Sequence, residues 1–203
     1  MFTVYCTPEL SRPDIERIQA VRAPHDPQGK LLGPHVTVVF PTLAATERRL
    51  LDHVTQIIGN VRAFRAAFRS AITYRDLEKP LTYAFLLPDE GASHFVRLHH
   101  QLLTGPLERA LRLDLPFVPH ITLGAFERPE AAKSAVDAFN AQPFTISGFV
   151  NTVNIARLEE GKLSTLAALR LRPPEMARPG GPRPMQARGD RRPGPGGPRP
   201  RPR

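Results

Sequence analysis

One short run of residues occurs twice in nearly the same order, as Pro34-His35-Val36-Thr37-Val38 and again as Pro119-His120-Ile121-Thr122-Leu123. Each copy reads proline, histidine, aliphatic, threonine, aliphatic. Successive side chains on a strand point to opposite faces, so the histidine and threonine of a copy share one face and the aliphatics share the other. Each copy is therefore a half-buried strand that offers an imidazole and a hydroxyl on one side and packs a core on the other. The proline before each histidine suits a strand start, where a missing N–H donor is tolerated. A chain that repeats such a strand 85 positions later must adopt a fold that can place the two copies in matching surroundings.

Strict alternation extends these faces. His35, Thr37 and Val39 would lie on the motif face of the first copy, with Val36, Val38 and Phe40 backing onto helices. In the second copy His120, Thr122, Gly124 and Phe126 would share the motif face, and Ile121, Leu123 and Ala125 would face away. Gly124 would then leave room beside a substrate.

The remaining punctuation places these strands in an α+β order. Strands are expected over residues 2–7, 35–40, 64–75, 81–87, 120–126, 144–158 and 163–171, the last two as a hairpin about Glu160-Gly161. Helices are expected from Ser11 through Val21, from Thr46 to Ile58, over 92–103 and over 130–140, with a short one at 106–111. Residues 25–33, rich in proline and glycine, read as the loop that delivers the first motif. Strand, helix, motif strand and helix occur, further strands follow, and the theme repeats. The expected architecture is bilobal: two antiparallel sheets related by a pseudo-twofold, with outer helices, around a central groove.

Length and composition fit one domain, residues 1–172, plus an appendage. Residues 173–203 hold ten prolines, six glycines and eight arginines against Glu175 and Asp190, a net of +6. The preceding part carries 20 basic and 17 acidic residues, so the overall +9 belongs mainly to this tail. Such a composition has little to bury, and the tail is expected to be disordered. A solvated extension is the default reading. Electrostatic recruitment of RNA through the arginines and docking to a proline-reading partner are the other two. Cys6, the single cysteine, excludes an intramolecular disulfide and a thiolate metal cluster. No basic segment precedes an apolar stretch, and no run approaches roughly 18 apolar residues, so a cytoplasmic, monomeric protein without membrane contact is expected.

Two histidines with neighbouring hydroxyls suit phosphodiester chemistry. Displacement at phosphorus needs one group to deprotonate the attacking oxygen and another to protonate the departing one. An imidazole of ordinary pKa about 6.5 can do either near neutral pH. Threonine hydroxyls can hold the non-bridging oxygens between the rings.

This doubled pattern, in an α+β chain of this size, resembles the 2H phosphoesterase superfamily and within it the bacterial 2′-5′ RNA ligase and cyclic phosphodiesterase branch. The resemblance covers roughly residues 2–171. It implies a bilobal fold with His35, Thr37, His120 and Thr122 lining the groove. It also implies opening of 2′,3′-cyclic phosphates on RNA ends or small nucleotides without metal or other cofactor, with 2′-5′ ligation as the reverse reaction. Many relatives carry a basic residue just after the glycine of the second motif, where this chain has Ala125 and Phe126. Phe126 and Arg128 are accordingly the candidates for further substrate contact.

Other chemistry has less support. A zinc site would need a third ligand, and neither motif supplies a carboxylate or cysteine. His99 and His100 are adjacent on a helix and diverge by about 100°; with His53 and His94 they read as solvated or rim residues. A groove that binds RNA or a phosphorylated ligand without turnover is the alternative function.

Overall fold

The computed structural model describes residues 1–174, so the tail expected over residues 173–203 lies, from 175 onward, outside the described residues. Seven strands and four helices follow in the order β1 (Phe2–Glu9), α1 (Arg12–His25), β2 (Val36–Thr42), α2 (Glu47–Ile58), β3 (Phe64–Arg75), β4 (Thr82–Glu90), α3 (Ala92–Leu102), β5 (Ile121–Phe126), α4 (Pro129–Asn140), β6 (Ile146–Glu159) and β7 (Lys162–Arg170). Short 3₁₀ turns at Pro27–Lys30 and Gly105–Ala110 precede the two motifs. The class is α+β, as the residue pattern implied.

All strand pairs are antiparallel. The two expected halves are joined into one hydrogen-bonded sheet of order β2-β1-β6-β3-β4-β5, with β7 also paired to β6. The 14-residue β6 makes the join: Ile146–Val150 pairs with β3, and Thr152–Glu159 pairs with β7. Gly148 sits where β6 passes β1, and a Cβ there would collide with the Glu9 carbonyl. β1 continues through Pro8 to Glu9 instead of stopping, because its register with β6 shifts between Cys6 and Pro8. A proline is tolerated at such an irregularity.

Helices cover one face of the sheet and form the core with it. On α3, Phe95, Leu98 and Leu102 recur at helical spacing and are fully buried, each contributing roughly 2 kcal/mol. They meet strand residues such as Val36, Val38, Leu86, Ile121 and Leu123 in one continuous core. Cys6 belongs to this core, and burial pushes its thiol pKa up.

The crossing of helices between halves sets the position of the motifs. α1 follows β1 yet packs beneath β5, and α3 follows β4 yet packs beneath β2. Each motif strand therefore rests on a helix supplied by the opposite half, which ties the two outer strands of the sheet to each other.

Candidate active site

The two motif strands are built alike to the residue. Thr37 pairs with Tyr5 on β1, and Val39 pairs with the preceding Val4, so Val38 is an extra residue in β2. Thr122 pairs with Phe85 on β4, and Gly124 pairs with Ala84, so Leu123 is the extra residue in β5. A bulge of this kind bends a strand and breaks its alternation. Here it follows each threonine directly.

The bulges correct the faces that strict alternation assigned. Val38 and Val39 are both fully buried, while Phe40 emerges at 49% exposure and meets Phe117 edge-on. In the second copy Gly124 and Phe126 turn into the core. A Cβ on Gly124 would lie 2.7 Å from His25 Cβ and 2.8 Å from Phe126 Cε2. The glycine thus admits core packing; it does not clear space for a substrate. Phe126 is 7% exposed with its ring centroid 4.7 Å from that of His25, so the substrate contact expected of it is not available. Arg128 is exposed and stands at the start of α4, eight residues beyond His120 and past the end of β5. At about 3.3 Å per strand residue, that is the far end of the strand from the motif.

The imidazoles are fixed in matching ways. His35 Nδ1 is 2.9 Å from the Gly33 carbonyl, and His120 Nδ1 is 2.7 Å from the Val118 carbonyl, in each case two residues back. A carbonyl can only accept, so Nδ1 carries the hydrogen in both rings and Nε2 is the free nitrogen. Each ring also meets the aromatic opposite its own threonine. Tyr5 contacts His35 edge-on, with centroids 5.4 Å apart, and Phe85 stacks flat on His120 at 3.5 Å and 15°. Tyr5 and Phe85 are buried yet stand outside the core cluster, on the face that no helix covers. Residue pattern alone missed both; each is the direct register partner of its threonine on the neighbouring strand, legible only once pairing is known.

The His120 pKa is lowered to about 4, by burial first and by the charge of His35, against the pull of the Val118 carbonyl. Burial lowers His35 as well; the Gly33 carbonyl raises it, Arg22 lowers it and Asp26 raises it. Thr37 and Thr122 are half-buried beside these rings, and among the described residues neither hydroxyl has a hydrogen-bond partner. His35, Thr37, His120 and Thr122 thus stand beside Tyr5 and Phe85, on the face of the sheet that no helix covers.

Two supports were not foreseen. Arg22, fully buried on α1, donates from Nε and Nη2 to Asp26 Oδ2 (3.0 and 2.7 Å) and from Nη1 to the Leu32 carbonyl (3.2 Å), bracing the loop that carries Gly33. His99, expected at the rim, is 5% exposed. Its Nδ1 binds the carbonyl of the bulged Val38 at 2.9 Å, and its ring stacks on Phe117 at 3.8 Å and 3°. One residue therefore braces the strand of the first motif and the approach to the second. Among the described residues no three His, Cys, Asp or Glu side chains gather as a metal ion requires.

A repeated His-x-Thr strand on an antiparallel α+β sheet, each imidazole held through Nδ1 on the carbonyl two residues back, defines a two-histidine phosphoesterase fold. The 2′-5′ RNA ligase superfamily model matches residues 7–162, and the chain belongs to that superfamily. The crystal structure of a phosphoesterase is similar at 19% identity and a TM-score of 0.50, covering 84% of this chain and 97% of its own. E. coli LigT complexed with 3′-AMP is similar at 18% identity and a TM-score of 0.50, covering 84% and 97%. Kluyveromyces marxianus Usb1 is 11% identical with a TM-score of 0.48, covering 81% and 96%. The first two likenesses show the fold. A search of curated proteins finds no match.

Proposed function

We propose that this chain opens 2′,3′-cyclic phosphates, on RNA ends or small nucleotides, by acid/base catalysis from His35 and His120. The observation that carries the reading is the pair of rings held alike, each through Nδ1 on the carbonyl two residues back, which leaves Nε2 as the nitrogen available for proton transfer. A cyclic phosphate between them would place its non-bridging oxygens against the free Thr37 and Thr122 hydroxyls. Its negative charge favours protonation of the rings. The first proton goes to His35, because burial depresses the pKa of His120 more strongly, to about 4. His120, the harder ring to protonate, then takes the proton of the attacking water as that oxygen bonds to phosphorus. His35 gives its proton to the departing ribose oxygen as the P–O bond breaks. With the 5′-hydroxyl of a second RNA end in place of water as the attacking oxygen, and the 3′-oxygen as the one that departs, the same proton transfers form a 2′-5′ linkage, which the superfamily's name supports as a second activity. The 3′-AMP bound by LigT supports a nucleotide as the ligand.

The test is hydrolysis of adenosine 2′,3′-cyclic phosphate in excess EDTA by the full chain. His35→Ala and His120→Ala should each reduce kcat at least about a hundredfold, the usual contribution of a general acid or base. An inert wild type, or histidine variants with undiminished turnover, overturns the proposal. An inert wild type that still binds the nucleotide product points to the non-catalytic binding function.

A further inference from the structure

Beyond the four motif side chains, the uncovered face carries a row of flat rings on one side only. Phe85 pairs across strands with Ile72, and Tyr83 pairs with Tyr74. Tyr83 and Phe85 are two apart on β4 and so share a face with Thr122, the register partner of Phe85. Their neighbours Thr82, Ala84 and Leu86 are buried beneath the helices. The rings run from His120 outward. Phe85 lies 3.5 Å from the imidazole, Tyr74 5.0 Å from Phe85 at 24°, and Tyr83 5.4 Å from Phe85 at 21°. Both tyrosines are partly exposed, so the row is open where it leaves the histidine.

The other half lacks such a row. By the matching register, Thr3 stands where Tyr83 stands and Ala156 where Tyr74 stands. Thr3 is buried, with its hydroxyl on the Val39 carbonyl. Tyrosine is common in strands for packing alone. Packing does not account for near-parallel rings left partly open to solvent on one half and replaced by small residues on the other. The three tyrosines of the chain, Tyr5, Tyr74 and Tyr83, all lie on this face, and the chain has no tryptophan.

We propose that Tyr74 and Tyr83, extending the stack begun by Phe85, form a platform for the nucleobase of the substrate. The phosphate would sit between the histidines and the base over the β3–β4 half. Every base has a flat π-face, so the platform selects nucleosides over base-free sugar phosphates without selecting sequence.

This subsite rests on the phosphoesterase reading, and two measurements separate them. With adenosine 2′,3′-cyclic phosphate, Tyr74→Leu and Tyr83→Leu should each raise KM roughly tenfold to a hundredfold, from the known range for base–aromatic stacking, with kcat little changed. With 1-O-methylribose 2′,3′-cyclic phosphate, KM should be the same in wild type and variants. Tyr83→Phe, which keeps the ring, should restore the wild-type KM. Leucine variants with an unchanged KM, or with equal losses on both substrates, overturn the platform while leaving the catalytic reading intact. Should the wild type turn over neither substrate, the catalytic reading falls and the platform is tested by binding alone. Adenosine 2′-monophosphate should quench the tyrosine emission of the wild type, inorganic phosphate should not, and the Tyr74→Leu/Tyr83→Leu double variant should lose nucleotide affinity. Equal affinity in wild type and double variant overturns the platform.

Discussion

His120 should make the folded protein sensitive to mild acid, and the size of the effect follows from its surroundings. The ring is stacked on Phe85 and its pKa is lowered from 6.5 to about 4, with burial the largest cause. An unfolded chain protonates this histidine at about 6.5. Between these values the unfolded state binds more protons than the native one, so stability rises with pH across the window. The contribution is complete above pH 6.5 and is lost as pH falls toward 4. Between pH 7.5 and pH 5 the loss is about 2 kcal/mol for a single group with this shift. That figure is the upper end, because the half-buried ring keeps some contact with water. The assay is urea unfolding of the full chain at intervals from pH 7.5 to pH 5, for wild type and His120→Gln. Glutamine does not titrate, so the variant should show a flatter dependence by up to this amount. His35 and His99, also lowered by burial, contribute equally to both proteins and cancel. An acid slope that survives unchanged in His120→Gln refutes the account of the stacked ring.

Two further expectations concern the braces behind the motifs. Arg22→Met leaves Asp26 buried without its cation and should cost about 3–5 kcal/mol, while Arg22→Met with Asp26→Leu should recover much of this; purely additive losses in urea unfolding would contradict a coupled pair. His99→Phe keeps a flat ring against Phe117 but deprives the Val38 carbonyl of its donor, an expected loss of about 1–3 kcal/mol; an unchanged urea midpoint would show that the bulge does not depend on this bond.

Element order was legible because hydrophobic periodicity and punctuation agreed along most of the chain. Ser11 caps α1 as expected, its hydroxyl accepting from the Asp14 amide, and Gly161 turns the last hairpin with a positive φ of 74°. The four motif residues were legible because they repeat. The face assignments beyond the threonines were not, since a bulge adds a residue without changing the apolar character of the run. Val38-Val39 and Leu123-Gly124 give no hint of which residue is extra; the pairing with Val4 and Ala84 decides it. Nothing in the residue pattern marks Arg22, whose guanidinium can be buried because a carboxylate and a carbonyl meet it, those of Asp26 and Leu32. Tyr5, Phe85 and His99 come from strands and a helix far along the chain, where no local pattern marks them.

The repeat and its imperfection together explain what two copies of one motif can do. Catalysis by an acid and a base needs two groups of the same kind in different protonation states at one pH. Duplicated strands supply the sameness: an imidazole on an i−2 carbonyl, a threonine, a bulge and an aromatic opposite. The difference enters through the neighbours. Tyr5 meets His35 by its edge, and the Arg22–Asp26 pair acts on that ring with opposing charges, the arginine the stronger. Phe85 covers the flat face of His120, and burial pushes the pKa of that ring down to about 4. A symmetric backbone thus holds both rings in the same orientation while asymmetric packing separates their affinities for a proton. The Tyr74–Tyr83 row carries the same asymmetry to the substrate, giving the groove a direction that the motifs alone lack.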